Sequence, residues 1–242
     1  MTYHVLNGDA LAATFDGLDL PGETIVMREA LITGDLQGDT LEAFWQTRAH
    51  YLSPENPSHY YTVLVKELEK LLTAPAHTEF NLWFGYDVFC RVNTWFIMSL
   101  LKNLAVEHKV FMVYPSFRSK EDIWKDFGKA TLGNLQTAHK DRIACSEPDL
   151  QLGNDLWLAF KQHQPEQLLS LSQTDAPCFP YLSEVCEAWA DQQRPYRVIE
   201  DIVNNVSSDF HIVFREFFQR EGIYGFGDSQ LKPLYDKVME QK

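Results

Sequence analysis

At 242 residues, with 45% hydrophobic and 13% aromatic residues, the chain can bury a large core, enough for one big domain or two small ones, which excludes a disordered protein. A net charge of −13 repels phosphate backbones and anionic membrane surfaces, so bulk nucleic-acid binding and membrane adsorption are disfavoured. Cys90, Cys145, Cys178 and Cys186 contain no Cys-x-x-Cys pair and have no His cluster nearby, which argues against zinc and for reduced thiols in a cytoplasmic protein.

The predicted elements run as follows. "YHVLN" is a strand that turns on Asn7-Gly8-Asp9 straight into a short helix, "ALAATFDGL". No basic and apolar leader precedes it, so a cytoplasmic location is expected. "ETIVMREAL" follows the Pro21-Gly22 turn and is a second strand. "DTLEAFWQTRAHYL" and "SHYYTVLVKELEKLLT" carry apolar residues at helical spacing. "EFNLWFGYD" is a third strand and "VFCRVNTWFIMSLLKNLA" the helix after it. "KVFMVYP" is an apolar run closed by Pro115, as suits a strand covered on both faces. The longest apolar run, "TWFIMSLL", is too short to span a bilayer.

Strands alternating with helices imply a parallel sheet with crossover helices. Residues 1–118 are therefore expected to form a three-layer α/β domain of at least four strands, Rossmann-like or flavodoxin-like. Residues 119–242 are expected to be all-helical. Ser146 or Asp149 should cap the first of these helices, and Pro165 and Pro180 should start two others. Three helices near 195–242 have the spacing of a helix-turn-helix module, with Asp209 and Asp228 as N-caps and Gly222 as a stop. From Pro195 to Lys242 there are six Lys/Arg against eight Asp/Glu. A DNA-reading helix should be plainly basic, so duplex binding is disfavoured and a protein partner or a homo-oligomer suits the tail better.

Ligands of open parallel sheets bind outside the carboxyl ends of the strands. The residues there are Asn7, Gly8 and Asp9; Arg28 and Glu29, with Gly34 and Asp35 beyond; Gly85, Tyr86 and Asp87; and Tyr114, Ser116 and Arg118. Gly8 permits a tight turn and a close backbone approach, and the amides after it would favour an anion. Asp9 could cap the helix or join Glu29 and Asp87 in a carboxylate cluster that holds Mg²⁺ or acts as general base. Arg28 would pair with substrate charge, and Tyr86 and Ser116 would contact ligand. Asp87 with Arg91 could equally be a helix cap with an i, i+4 pair, and His4 reads as a structural histidine. No Walker, Gly-x-Gly-x-x-Gly, Gly-x-Ser-x-Gly or His-Glu-x-x-His motif occurs, which disfavours the enzymes built on them.

"HVLNGDALA", "IVMREALITGDL" and "LWFGYDVFCRVN" together resemble the bacterial family catalogued as domain of unknown function 1835. The matching positions are His4, Asn7, Gly8, Asp9, Arg28, Glu29, Gly34, Leu82, Trp83, Phe84, Asp87 and Phe89, and "EGIYGFGDSQ" resembles the helical region that follows in its members. The resemblance implies a bacterial intracellular protein in two parts and no activity. At Tyr86 many members carry a histidine. The expected function is binding or hydrolysis of a small anion, a nucleotide or phosphoester. The alternative is a regulatory binding protein whose tail contacts a protein partner.

Overall fold

Alternation along the strands sets the layers. In β1 (Thr2–Asn7), Tyr3 and Val5 face one side of the sheet and His4 and Leu6 the other, and all four are buried. β3 (Glu79–Trp83) alternates likewise, with Phe80 and Leu82 opposite Asn81 and Trp83. Strands apolar on both faces need helices on both sides, and the computed structural model, which describes residues 1–116 and 120–241, has them.

The sheet has five strands in the order β2-β1-β3-β4-β5. β2 (Glu23–Met27) and β3 flank β1 in parallel, and β4 (Lys109–Val113) is parallel to β3. β5 (Ile143–Cys145) closes the far edge antiparallel to β4. The α/β sheet with a helical region after it is thus as expected, but residues 119–145 are not all helical. β5 has only three residues, too few to show a period.

One face is covered by α1 (Asp9–Phe15) and α6 (Leu132–Lys140), through Leu11, Phe15, Leu135 and Ala138 against Leu6, Trp83 and Val113. His4 belongs to this layer. Its Nδ1 accepts from the Trp83 indole at 3.2 Å and its Nε2 faces the Pro21 carbonyl at 3.3 Å, so both ring nitrogens are used by the neutral ring. Burial lowers its pKa to about 4, consistent with a structural histidine.

The other face carries α2 (Leu41–Leu52), a helical stretch made of α3 (Pro57–Tyr60), a π turn (Tyr61–Val65) and α4 (Lys66–Leu72), and then α5 (Val88–Lys102). α5 is buried nearly all round, because α7 (Glu147–Lys161) packs along its outer side. Gly153 on α7 makes this approach possible: a side chain there would meet Met98 Sδ at 2.7 Å. Buried side chains then continue without a break through α8 (Pro165–Leu171), α9 (Leu182–Ala190), α10 (Arg194–Asn205), α11 (Phe210–Glu221) and α12 (Asp228–Glu240). The last three pack on one another.

The predicted helix signals fare unevenly. Ser146 caps α7 in a reciprocal capping box with Asp149, and Asp209 caps α11 by accepting from the amides of His211 and Ile212. Pro165 starts α8 and Gly222 ends α11. Asp228 is not a cap, because Gly227 holds that position and Asp228 is already helical. Pro180 lies ahead of α9, which starts at Leu182 after the left-handed Tyr181. No helix among the described residues is long and apolar enough to cross a membrane.

Candidate functional site

The chain leaves β1 toward β2 on one side and returns to β3 on the other, so the direction of winding reverses between β1 and β3. That reversal opens a crevice at the carboxyl ends of the two strands. Asn7 and Gly85-Tyr86-Asp87 lie there, and four side chains stitch the crevice together. The Asn7 amide donates to Cys90 Sγ at 3.2 Å. Asn93 Nδ2 donates both to Asn7 Oδ1 at 3.2 Å and to the Glu29 carbonyl at 2.9 Å. Asp87 caps α5, its Oδ1 accepting from the Cys90 amide at 2.9 Å.

The predicted carboxylates part company here. Asp9 points outward and pairs with Arg28 at 2.8 Å, with its own side chain 69% exposed. It is not the cap of α1, since Gly8, at φ +90°, holds that position. Arg28 also donates to the Val63 carbonyl in the π turn, at 2.8 Å. α1 is only seven residues long, so its dipole is weak.

Glu29 turns inward and is locked. Arg48 grips both its oxygens, at 3.0 and 2.8 Å, and Tyr60 donates to it at 2.7 Å. Neither side chain of the Glu29–Arg48 pair has any exposure. Only the backbone carbonyl of Glu29 reaches the crevice. Asp9, Glu29 and Asp87 thus lie in three different surroundings. Among the described residues no group of three or more His, Cys, Asp and Glu side chains is placed to hold a metal ion.

A different carboxyl lies against Gly85, two residues before Asp87. Asp126, which follows the 3₁₀ turn Lys120–Lys125, reaches back over Gly85. A side chain at Gly85 would meet Asp126 Oδ1 at 2.9 Å, so the glycine is what admits the carboxyl. Asp126 has a left-handed backbone, φ +47°, which aspartate tolerates better than most residues. Phe127, buried against Trp83 with ring centres 5.8 Å apart, anchors it. From the other side Gly225 of the C-terminal region closes on Asp87. A Cβ there would stand 2.1 Å from Asp87 Oδ1. The glycine-rich "YGFGD" stretch is therefore part of the wall of the crevice.

Burial dominates the electrostatics. It raises the pKa of Asp87 and, with the charge of Asp87 next, pushes that of Asp126 up to about 7. The Phe127 amide, the Cys90 thiol and the Asn7 amide favour the charged form of Asp126 but are outweighed. Burial and the two carboxyls together keep Cys90 a neutral thiol. Asp126 Oδ1 is sealed from solvent and has no hydrogen-bond partner among the described residues. Arg91, one turn along α5, is fully buried but serves Tyr114 and the Pro180 carbonyl instead of ion-pairing with Asp87. Tyr86 packs on Tyr114, rings 4.5 Å apart.

Asp126 also lines a cavity of about 390 Å³ at the carboxyl end of β4. Ser116, Lys125, Phe127, Lys129 and Asn134 are among its other walls. Ser116 was expected at the site from its place after β4, while Arg118 lies outside the described residues. Lys125 pairs with Asp122 on the rim. The sequence reading missed Asp126, Cys90, Asn93 and the two lysines. The available signal was Asp126-Phe127-Gly128, a turn string with a large apolar residue inside it.

No family model, curated protein or solved structure matches the chain.

Proposed function

We propose that the chain binds a small anionic molecule of the nucleotide or phosphoester class in the cavity at the carboxyl end of β4. The observation that carries this is the composition of the cavity wall: Lys129, a serine hydroxyl and an asparagine amide, with Lys125 paired to Asp122 and the Asp126 carboxyl beside them. Cations and neutral donors suit oxyanions, and the place is where open α/β sheets hold ligands. At about 390 Å³ the cavity suits a small molecule rather than a macromolecule. An ester bound there would meet, in Asp126, a carboxyl that titrates near neutrality, as acid–base chemistry requires. The resemblance to domain of unknown function 1835 adds no activity to this reading.

The test is titration calorimetry with inorganic phosphate and with adenosine monophosphate. Saturable binding is expected. Lys129→Glu should weaken it severalfold, since the reversed charge on the cavity wall repels the anion that the lysine attracts. Lys129 is exposed, so the variant should fold normally. Unchanged affinity in Lys129→Glu would move the ligand elsewhere.

A further inference from the structure

A second cavity, of about 360 Å³, opens between the first turn of α2, the last turns of α5 and the end of α7. It lies at the opposite end of α5 from Asp87, so it is separate from the crevice and from the cavity at β4. Its floor is aromatic. Phe44, Phe96 and Trp157 are all buried, and the centre of the Phe96 ring is 5.3 Å from that of Phe44 and 5.0 Å from that of Trp157. Two opposite charges stand on its wall, Asp39 and Lys161. Half-buried Lys161 is held in place, because its Nζ donates to the Gly38 carbonyl at 2.7 Å and lies 5.5 Å from the centre of the Phe44 ring. Gly38 fits there only without a side chain, since a Cβ would stand 2.4 Å from the Phe44 amide nitrogen. That carbonyl takes one of the ammonium's donors and leaves the others for a ligand. Among the described residues neither Lys161 nor Asp39 forms an ion pair, with each other or with any other group.

We propose that this cavity binds a free α-amino acid with an apolar side chain. A cation and an anion that line one cavity without pairing are the complement of a zwitterion. The ligand's carboxylate goes to Lys161 and its ammonium to Asp39, each as a charge-assisted hydrogen bond. The side chain lies on the aromatic floor, and removing it from water supplies most of the affinity. A ligand with a single charge leaves either Lys161 or Asp39 unmatched, and a wholly apolar one leaves both. The volume is that of a small-molecule site. One cation faced by one carboxylate does not suit the phosphate-bearing ligand proposed for the cavity at β4, so the two sites stand or fall separately.

The probes are L-phenylalanine and L-leucine, with two analogues of the first: hydrocinnamate, which lacks the ammonium, and phenethylamine, which lacks the carboxylate. Calorimetry on the full chain should show saturable binding of at least one amino acid in the micromolar to millimolar range. Each analogue should bind severalfold more weakly than L-phenylalanine, the effect of losing one partly exposed ion pair. In a shift-mapping titration the Trp157 indole and the Leu100 amide should move, while Ser116 and Phe127 stay in place. Asp39→Asn, at an exposed position, should weaken L-phenylalanine but not hydrocinnamate, and Lys161→Met should weaken L-phenylalanine but not phenethylamine. The comparison of analogues needs only the unaltered chain, so it decides the matter even if a variant folds poorly. Equal affinity for L-phenylalanine and either analogue would overturn the assignment of a zwitterion. Saturable binding of neither amino acid, or binding that leaves the Trp157 indole unmoved, would overturn the site itself.

Discussion

Arg48→Met is expected to destabilise the fold by about 3–5 kcal/mol, the usual cost of removing one partner from a buried ion pair. Methionine fills much of the volume but leaves Glu29 charged at a site with no exposure. It also strips donors from the carbonyls of Ala30, Thr33 and Asp35, all of which Arg48 now holds. Tyr60 and the Ala30 amide would still donate to Glu29, but neither is a cation. For a chain of this length the loss corresponds to a melting temperature lower by about 6–20 °C. Urea unfolding followed by tryptophan fluorescence measures it. Adding Glu29→Gln to Arg48→Met should recover part of the loss, because the orphaned charge is then gone. A loss under about 1 kcal/mol in Arg48→Met would mean that the pair does not hold the 28–36 segment to α2.

Asp126→Asn is expected to act in the opposite direction, and only at higher pH. Asp126 has a folded pKa raised to about 7 from the ordinary 3.8, mainly by burial. The folded state therefore holds a proton that the unfolded chain gives up. Stability from this group is full below pH 3.8, declines as pH rises toward 7, and is a full penalty above it. Asparagine resembles the protonated carboxyl at every pH. The variant should match the parent near pH 4 and exceed it at pH 8 by about 2–4 kcal/mol, reckoned at 1.36 kcal/mol per pKa unit. The check is a set of urea midpoints from pH 4 to pH 8.5. A parallel pair of stability curves would show that Asp126 is an ordinary solvated carboxylate. A gain bought by removing a group from a binding site is the familiar conflict between stability and function.

These two carboxyls show where sequence reasoning reaches and where it stops. Apolar runs closed by polar residues placed β1 to β4 and the strand-end positions, because strand burial leaves a direct compositional trace. Asn7, Asp87 and Ser116 were located on that basis, and the structure puts Asn7 and Asp87 in one crevice and Ser116 on the adjoining cavity. Asp9, Glu29 and Asp87 looked alike because position after a strand says nothing about partners. Arg28 draws Asp9 outward, and Arg48, from the middle of α2, draws Glu29 inward. Asp126 was illegible for another reason. Its place depends on a left-handed backbone, a missing side chain at Gly85, and the anchoring of Phe127 against Trp83. None of these leaves a period. The glycine at 225 was part of a quoted motif, but its role follows only from the 2.1 Å that separates a Cβ there from Asp87.

The claim on which the rest depends is that the anion sits at the carboxyl end of β4, against Asp126. Amide chemical-shift mapping during a titration with adenosine monophosphate locates it directly. The shifts should concentrate on Ser116, Phe127, Ala130 and Asn134, with smaller changes at Gly85 to Asp87 carried through the Asp126 contact. Shifts confined to Asp9, Ala10 and Leu11 beside Arg28, with Ser116 and Phe127 unmoved, would place the ligand on the other side of the switch point and contradict the account.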